Sequence, residues 1–232
     1  IENFFISVGF PIAMGYGTTE TAPLITFAHQ DNYVAGSCGV AVKHMEVKIL
    51  SDDPENVAGE LVCRGINVMK GYYKMPEATR QAIDEDGWLH TGDLGKLDAR
   101  GYLTYTGRKK ELIIRGGENI YPKEIEEFIY THPAVKDVQV IGVPDKKYGE
   151  EAMACIILKE PGSVTVEEML DYIKASMARH KVPKYIDFVD AFPMNAAGKI
   201  LKYKMREEAT ERFGLEGAAG IDTAQTAEQV KR

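Results

Sequence analysis

The 232-residue chain carries 28 basic and 35 acidic residues, and the resulting net charge of −7 argues against a nucleic-acid-binding protein. No apolar run approaches the roughly 18 residues needed to span a bilayer, and no basic-then-apolar signal sequence opens the chain. Its three cysteines are widely separated and match neither a disulfide framework nor a zinc site, so we predict a cytoplasmic protein.

The length allows two modest domains, and the pattern of the sequence changes where such a division would fall. Residues 45–107 hold three strand-like stretches separated by turn-forming residues: MEVKIL, GELVCRG and GYLTYTG. Beyond them, helical and strand-like patterns alternate. We therefore predict a mixed α/β (α+β) fold with a β-rich domain over residues 1–107, a small α+β domain over residues 108–213 and a flexible tail over residues 214–232.

Individual elements of the second domain follow from local signals. A helix is predicted to begin at Pro122, which suits a first helical turn, and the strand KDVQVIGV is predicted to end at Pro144. Thr165 and Glu168 form a capping box before a helix that Pro183 closes. Further predicted elements are the strands EAMACIILK and YIDFVDAF and the terminal helix KYKMREEATERF.

The stretch GYGTTE combines residue types that suit a phosphate and a metal ion. Gly15 and Gly17 allow backbone to approach a ligand, and Thr18 and Thr19 offer hydroxyl groups. Glu20 offers a hard carboxylate oxygen suited to magnesium. The alternative is an ordinary glycine turn, which is common in proteins.

Three later stretches offer weaker signals when each is considered alone. Asp93 follows a small turn in WLHTGD and is placed to accept hydrogen bonds from ribose hydroxyls, although a plain turn residue is the alternative. GRKKELIIRGGEN, which begins at Gly107 and contains Arg108, concentrates basic residues around two glycines, and a solvated charge run is its alternative. PMNAAGKILKYK contains Lys199 after a glycine but is not a P-loop, because Pro193 and Ile200 replace the required glycine and hydroxyl residue.

Taken together and in this order, GYGTTE, WLHTGDL, GYLTYTGRKKELIIRGGENIYPKEIE and PMNAAGKILK closely resemble the successive motifs of the adenylate-forming superfamily, and within it the acyl-CoA synthetases. The resemblance extends from about residue 4 to residue 206. It implies an acid-thiol ligase that uses ATP, Mg²⁺ and coenzyme A on a small-molecule carboxylic acid. Residues 1–107 would then be the end of the large AMP-binding domain, and residues 108–213 the small mobile C-terminal domain.

The resemblance also implies roles for matching residues of the nucleotide site. Tyr16 would stack on adenine, Gly17 and Thr18 would line the nucleotide site, and Thr19 would touch the AMP phosphate. Glu20 would hold Mg²⁺ and act in catalysis. Two further residues would bind the ribose: Asp93 through the hydroxyl groups and Arg108 in support of it.

Three other matches concern movement and catalysis in the second domain. Lys110 falls at the hinge about which the small domain of the family turns between two half-reactions. Gly117 falls where the pantetheine arm of coenzyme A passes close to the backbone. Lys199 matches the catalytic lysine that reaches the substrate carboxylate and the α-phosphate of ATP.

The family's phosphate-cradling loop would lie upstream of GYGTTE and does not occur in this sequence. The chain is therefore expected to be the C-terminal part of a synthetase, inactive by itself, with a medium- or long-chain fatty acid as substrate or, alternatively, an aryl acid. Other possibilities are an adenylation domain that passes its acyl group to a carrier protein, a luciferase-like oxidation enzyme, and a non-catalytic module that kept the fold.

Overall fold

The computed structural model describes residues 2–218, with side chains from residue 4 onward. The chain divides after Lys110 into two compact units, and each is described by itself. Within the described residues, no helix has both the length and the apolar character required to cross a membrane. The assignment of the two units to the large and small domains of a synthetase stays a prediction.

The first unit is built mainly from antiparallel strands. Its strands are β1 (Met14–Tyr16), β2 (Thr26–Ala28), β3 (Val40–Ala41), β4 (Met45–Leu50), β5 (Gly59–Gly65), β6 (Leu89–Leu97) and β7 (Leu103–Arg108). Its helices are α1 (Glu2–Ser7) and α2 (Pro76–Ala82). One sheet has the order β1-β2-β3, and the other is a meander with the order β4-β5-β6-β7.

The core of the first unit explains why these stretches form strands. Alternate residues of a strand point to opposite faces, so a strand with one apolar face buries every second side chain. In β4, Met45 and Ile49 are buried while Glu46 and Lys48 on the other face are not. The strands predicted at MEVKIL, GELVCRG and GYLTYTG are confirmed.

The second unit is a five-stranded sheet with helices. Its strands are β8 (Ile113–Arg115), β9 (Glu118–Ile120), β10 (Val135–Asp145), β11 (Gly149–Leu158) and β12 (Tyr185–Phe188). Its helices are α3 (Pro122–Ile129), α4 (Val166–Lys174) and α5 (Lys202–Arg212). The antiparallel order is β10-β11-β8-β9, and β12 pairs with β11 in parallel.

Both faces of this sheet are covered, and the alternation in β11 shows how. Ala152, Ala154 and Ile156 belong to a core shared with α3 and α4, while Met153 and Cys155 belong to a core shared with α5. A strand buried on both faces has a nearly continuous run of apolar residues, and β11 has such a run in EAMACIIL. The mixed α/β fold that the sequence predicts is confirmed.

Two predicted boundaries are wrong. Strand β10 does not end at Pro144 but continues to Asp145. Because β10 is an edge strand, one of its sides has no neighbouring strand, and a proline whose nitrogen faces that side removes no hydrogen bond from the sheet. Helix α4 begins at its capping box as predicted but ends at Lys174, well before Pro183. Met177, although outside the helix, still packs against the core.

The predicted tail is described only in part. Residues 214–218 include a short 3₁₀ turn, Glu216–Ala218, in which Ala218 is buried. Residues 219–232 lie outside the described residues.

The capping box of α4 gives a test of stability. Thr165 Oγ1 accepts a hydrogen bond from the Glu168 amide at 3.2 Å, and the Glu168 carboxylate accepts one from the Thr165 amide at 2.8 Å. Thr165→Ala should therefore lower the free energy of unfolding of the second unit by about 1 kcal/mol, measured by urea titration with circular dichroism.

Two controls accompany that measurement. Ser163→Ala, at an exposed position just before the cap, should change the free energy by less than about 0.5 kcal/mol. The single tryptophan, Trp88, lies in the first unit, so its fluorescence transition should not move. Equal effects of both substitutions would contradict the role of the cap.

Candidate functional site

The backbone from Tyr16 to Glu20 is shaped by one very close contact. Tyr16 ends β1, and Glu20 lies in a 3₁₀ turn, Thr19–Thr21. Between them, a Cβ atom added to Gly17 would lie 1.7 Å from the carbonyl oxygen of Pro23. No side chain fits there, so the path of the chain requires glycine at this position. The space left by the absent side chain admits the protein's own backbone, and a ligand contact at Gly17 stays a prediction.

A neighbouring asparagine, which the sequence analysis missed, braces the same turn. Asn67 Nδ2 donates hydrogen bonds to the carbonyl oxygens of Thr21 and Leu24, both at 2.7 Å. The Thr18 amide donates to the Thr21 hydroxyl at 3.1 Å. Thr19 remains exposed. Hydrogen bonds from Asn67 and to Thr21 therefore hold the backbone of the turn, while the side chain of Thr19 stays accessible to a ligand.

The carboxylate of Glu20 is held in a defined orientation. The hydroxyl of Tyr72 donates to Glu20 Oε1 at 2.9 Å, and the amide of Met69 donates to the Glu20 carbonyl oxygen at 2.7 Å. The pKa of Glu20 is lowered by a hydrogen bond from its own backbone amide, and the bonds from Tyr72 and Thr18 add to this effect. The group is therefore ionised at neutral pH, as a metal ligand must be.

Asp93 lies within strand β6, and the predicted position after a turn is wrong. The preceding residue, Gly92, has a φ of 70°, and the pairing of β6 with β7 is irregular just beyond Asp93. The glycine signal in the sequence therefore marks a distortion inside a strand. Asp93 faces Arg108 across the strand pair, and Asp93 Oδ1 lies 3.7 Å from Arg108 Nε.

Tyr16 and Asp93 form the central contact of the site. The Tyr16 hydroxyl donates to Asp93 Oδ2 at 2.6 Å, and only 13% of the Asp93 side chain is exposed. Burial raises the pKa of Tyr16 far above its ordinary value, and the hydrogen bond to Asp93 raises the pKa further. The phenol therefore stays protonated and donates. The Tyr105 ring, another contact that the sequence analysis missed, stacks on Tyr16 with centroids 6.0 Å apart.

In the second unit, Gly117 lies in the turn of the β8–β9 hairpin. Gly116 and Gly117 have φ values of 58° and 90°, which glycine adopts without steric cost. The Gly116 amide donates to the Tyr148 carbonyl oxygen at 2.8 Å, and the Arg115 guanidinium lies 4.1 Å from the centre of the Tyr148 ring. A Cβ atom added to Gly117 would have no atom of the described residues within 4 Å, apart from those of its chain neighbours.

Lys199 lies in a closed loop that Asn195 organises. The amides of Ala197 and Lys199 donate to Asn195 Oδ1 at 3.0 and 2.9 Å, and the Asn195 amide donates to the Lys199 carbonyl oxygen at 2.9 Å. Gly198 has a φ of 76° within this loop. Lys199 is exposed, and among residues 4–218 no side chain forms a hydrogen bond or ion pair with its ammonium group.

The predicted hinge residue lies where the chain divides. Lys110 is the middle residue of a 3₁₀ turn, Lys109–Glu111, and Arg108 ends β7 immediately before it. The structure thus brings Tyr16, Asp93 and Arg108 into contact within the first unit. Lys199 and Gly117 both belong to the second unit.

The number of metal-ligating side chains near Glu20 limits the kind of metal site that Glu20 can form. In the part of the chain that the structure describes, no three His, Cys, Asp or Glu side chains form a group able to hold a metal ion. Mg²⁺ is commonly bound through one or two carboxylates together with substrate phosphates and water. A single oriented carboxylate at Glu20 fits such a nucleotide-dependent site.

Comparisons with known proteins agree with this geometry. The model of the AMP-binding enzyme family matches residues 1–73, and that of the AMP-binding enzyme C-terminal domain matches residues 124–199. Putative acyl-CoA synthetase YngI of Bacillus subtilis (strain 168) is 52% identical over an aligned length of 212 residues, and the match covers 88% of this chain and 39% of that protein. Mitochondrial medium-chain acyl-CoA ligase ACSF2 of Homo sapiens is 43% identical, over 88% of this chain and 34% of its own length.

A solved structure shows the same likeness in three dimensions. O-succinylbenzoate coenzyme A synthetase (MenE) of Bacillus subtilis, in complex with ATP and a magnesium ion, has a TM-score of 0.79 and 37% identity. The match covers 87% of this chain and 42% of that one. The present chain thus spans between 34% and 42% of the length of these three proteins.

The contact at Gly17 gives a sharp test. Gly17→Ala would place a methyl group against the rigid Pro23 carbonyl, and we expect the first unit to lose about 3 kcal/mol or more of stability. Gly15→Ala is the matched control, because the nearest atom to its Cβ would be a Leu24 methyl carbon at 3.0 Å, which can rotate away, and the next would be a Phe27 ring carbon at 3.4 Å. Thermal unfolding followed by Trp88 fluorescence measures both. A Gly17→Ala protein as stable as the control would show that the turn has another conformation.

Proposed function

We propose, since this chain belongs to the AMP-binding enzyme family, that it is the C-terminal part of an ATP-dependent acyl-CoA synthetase. In the first half-reaction a carboxylate oxygen attacks the α-phosphorus of ATP, a P–O bond forms, and pyrophosphate leaves. In the second, the thiol of coenzyme A attacks the acyl carbon, an S–C bond forms, and AMP leaves. The observation that carries the proposal is the contact of Tyr16 with Asp93, and of Asp93 with Arg108, in one unit.

In this proposal the first unit binds the nucleotide. Tyr16 offers an aromatic face to adenine, and its hydroxyl holds one oxygen of Asp93 in place. The other oxygen, 3.7 Å from Arg108, accepts hydrogen bonds from the ribose hydroxyls. Gly17, Thr18 and Thr19 line the phosphate side of the site; the exposed hydroxyl of Thr19 donates to a phosphate oxygen. These roles rest on the resemblance and on the placement of the side chains.

Charge is the main obstacle in the first half-reaction, because an anionic carboxylate must approach an anionic phosphate. Glu20 would hold Mg²⁺, which offsets phosphate charge when bound. The ammonium group of Lys199 would contact both the attacking carboxylate and the α-phosphate, where it stabilises the charge of the transition state. Lys110 would act as the hinge between the half-reactions, and Gly117 would let the pantetheine arm of coenzyme A pass its backbone.

The substrate we propose is a medium- or long-chain fatty acid. The name of the human relative, a medium-chain acyl-CoA ligase, supports this choice, while the name of MenE keeps an aromatic acid as the alternative. A cytoplasmic location is part of the same proposal and rests on the spacing of the cysteines. Transfer to a carrier protein is the second candidate for the acyl acceptor.

The 232-residue chain and the full-length protein that contains it should differ in activity. We expect the full-length protein to catalyse ATP–pyrophosphate exchange with fatty acids, and the chain by itself to show none with a panel of fatty and aryl acids. The reason is that an incomplete site leaves acyl-AMP open to water. Exchange by the chain alone would contradict this expectation.

In the full-length protein, Lys199→Ala should lower the rate of ATP–pyrophosphate exchange by about 100-fold or more, because the charge of the transition state loses its partner. Conversion of supplied acyl-AMP to thioester should change by less than about threefold. Lys204→Ala, an exposed lysine on the same segment, is the control and should leave both rates unchanged. Equal losses in the two half-reactions would remove the role assigned to Lys199.

Lys110→Pro should slow thioester formation more than adenylation, by about tenfold in the ratio of the two rates, because proline fixes φ at the hinge. Lys110→Ala removes the same charge without fixing the backbone and should leave that ratio unchanged. Single-turnover measurements of each half-reaction in the full-length protein test this. An unaltered ratio in Lys110→Pro would identify Lys110 as an ordinary linker residue.

A further inference from the structure

The two residues that flank Lys110 are each held by an ion pair to a different unit. We propose that the Lys109–Glu60 and Glu111–Lys202 pairs are anchors that confine the change in orientation between the units to Lys110. Lys109 and Glu111 are thus positioning residues. The inference rests on the proposed function, in which the second unit turns about Lys110 between two half-reactions.

The first anchor ties Lys109 to the sheet of the first unit. Lys109 Nζ lies 2.8 Å from Glu60 Oε2, on strand β5, and only 11% of the Glu60 side chain is exposed. Burial by itself would raise the pKa of Glu60, but the hydrogen bond from Lys109 and contacts with His90 outweigh burial and lower the pKa. The carboxylate is therefore ionised, and His90 Nδ1, at 3.4 Å, is the other group that faces it. A partly desolvated pair of this kind resists breakage better than an exposed one.

The second anchor ties Glu111 to α5 of the second unit and, through Lys202, to α3 and β10. Lys202 Nζ lies 3.3 Å from Glu111 Oε2 and 2.8 Å from Glu126 Oε1. It also lies 3.3 Å from the Val140 carbonyl oxygen, so the ammonium joins α5 to α3 and β10. Only 21% of the Lys202 side chain is exposed. Glu126 in turn accepts a hydrogen bond from the Val140 amide at 2.8 Å, which fixes the receiving carboxylate.

Lys110, between the anchors, has no such restraint. It is exposed, and in the described part of the chain its side chain forms no hydrogen bond or ion pair. Rotation of the backbone at Lys110 breaks neither anchor, whereas rotation at Lys109 or Glu111 has to move an ion-paired side chain. The dihedral angles of Lys110 are therefore the ones that change at least cost.

The second anchor also reaches the loop of Lys199. Lys202 is the first residue of α5, three positions after Lys199, and the amide of Leu201 donates to the Pro193 carbonyl oxygen at 2.8 Å at the base of this loop. Glu111 is thereby connected, through Lys202, to the segment that carries Lys199. A turn about Lys110 would move this loop together with the body of the second unit.

The test breaks each anchor and leaves its partly buried partner with another contact. Lys109→Gln leaves Glu60 with His90, and Glu111→Gln leaves Lys202 with Glu126. The controls break ion pairs that do not involve residues 109–111 and whose carboxylates are more exposed than those of the anchors. They are Glu46→Gln, which removes the pair with Arg64 in the first unit, and Glu124→Gln, which removes the pair with Lys181 in the second.

The first readout needs no enzymatic activity. Spin labels on cysteines introduced at the exposed positions Val57 and Glu160 give the distribution of distances between the units of the 232-residue chain by double electron–electron resonance. We expect each anchor variant to broaden this distribution by about a factor of two and the double variant to broaden it more, with no change in the controls. Unchanged distributions in the anchor variants, or equal broadening in the controls, would overturn the proposal.

The second readout uses single-turnover kinetics of the full-length protein. Both anchor variants should slow the conversion of supplied acyl-AMP to thioester by about 3- to 10-fold and leave the KM for ATP unchanged. An equal loss in adenylation would overturn the anchoring role. If the full-length protein made no acyl-AMP at all, the proposed function would fail, while the distance distributions would still decide whether the anchors restrain the hinge.

Discussion

The hydrogen bond between Tyr16 and Asp93 joins the two sheets of the first unit, because Tyr16 ends a strand of one and Asp93 lies in a strand of the other. Two unusual backbone features next to these residues bring their side chains together. One is the close approach of the Gly17 backbone to the Pro23 carbonyl, directly after Tyr16, and the other is the left-handed conformation of Gly92, directly before Asp93. A polar contact that is short and largely removed from water is costly to break, so it fixes the spacing of the sheets and the orientation of the carboxylate together.

Because this carboxylate is shared, its two oxygens differ. Oδ2 is occupied by the phenol, and Oδ1 is directed toward Arg108 at a distance too long for a direct hydrogen bond. A ligand with hydroxyl groups can therefore be received on one side without displacing the protein contact on the other. Because the pKa of Tyr16 is raised, its phenol stays protonated and continues to donate to Oδ2 throughout the physiological range of pH.

Local patterns were enough to predict most regular elements of the fold. Alternating or clustered β-forming residues between turn-forming stretches identified β4, β5 and β7, and the Thr165–Glu168 capping box marked the start of α4. The sequence could not show that Asp93 is inside a strand, because a glycine such as Gly92 occurs both in turns and at irregular positions of paired strands. It also missed Asn67, Tyr72 and Tyr105, because their contacts join segments tens of residues apart and leave no local pattern. The order of the motifs along the chain identified the family more reliably than any one of them.

The loop organised by Asn195 has a consequence for the entropy of binding. Fixing a backbone residue costs about 1–2 kcal/mol, so a flexible loop of several residues would lose a large part of its binding energy on closing around a ligand. Here the loop is already closed by hydrogen bonds to the Asn195 side chain and backbone. Only the side chain of Lys199 then has to be ordered, at about 1.5–2 kcal/mol. Binding of a ligand by Lys199, as proposed, would therefore cost the entropy of its side chain and little further entropy of the backbone that carries it.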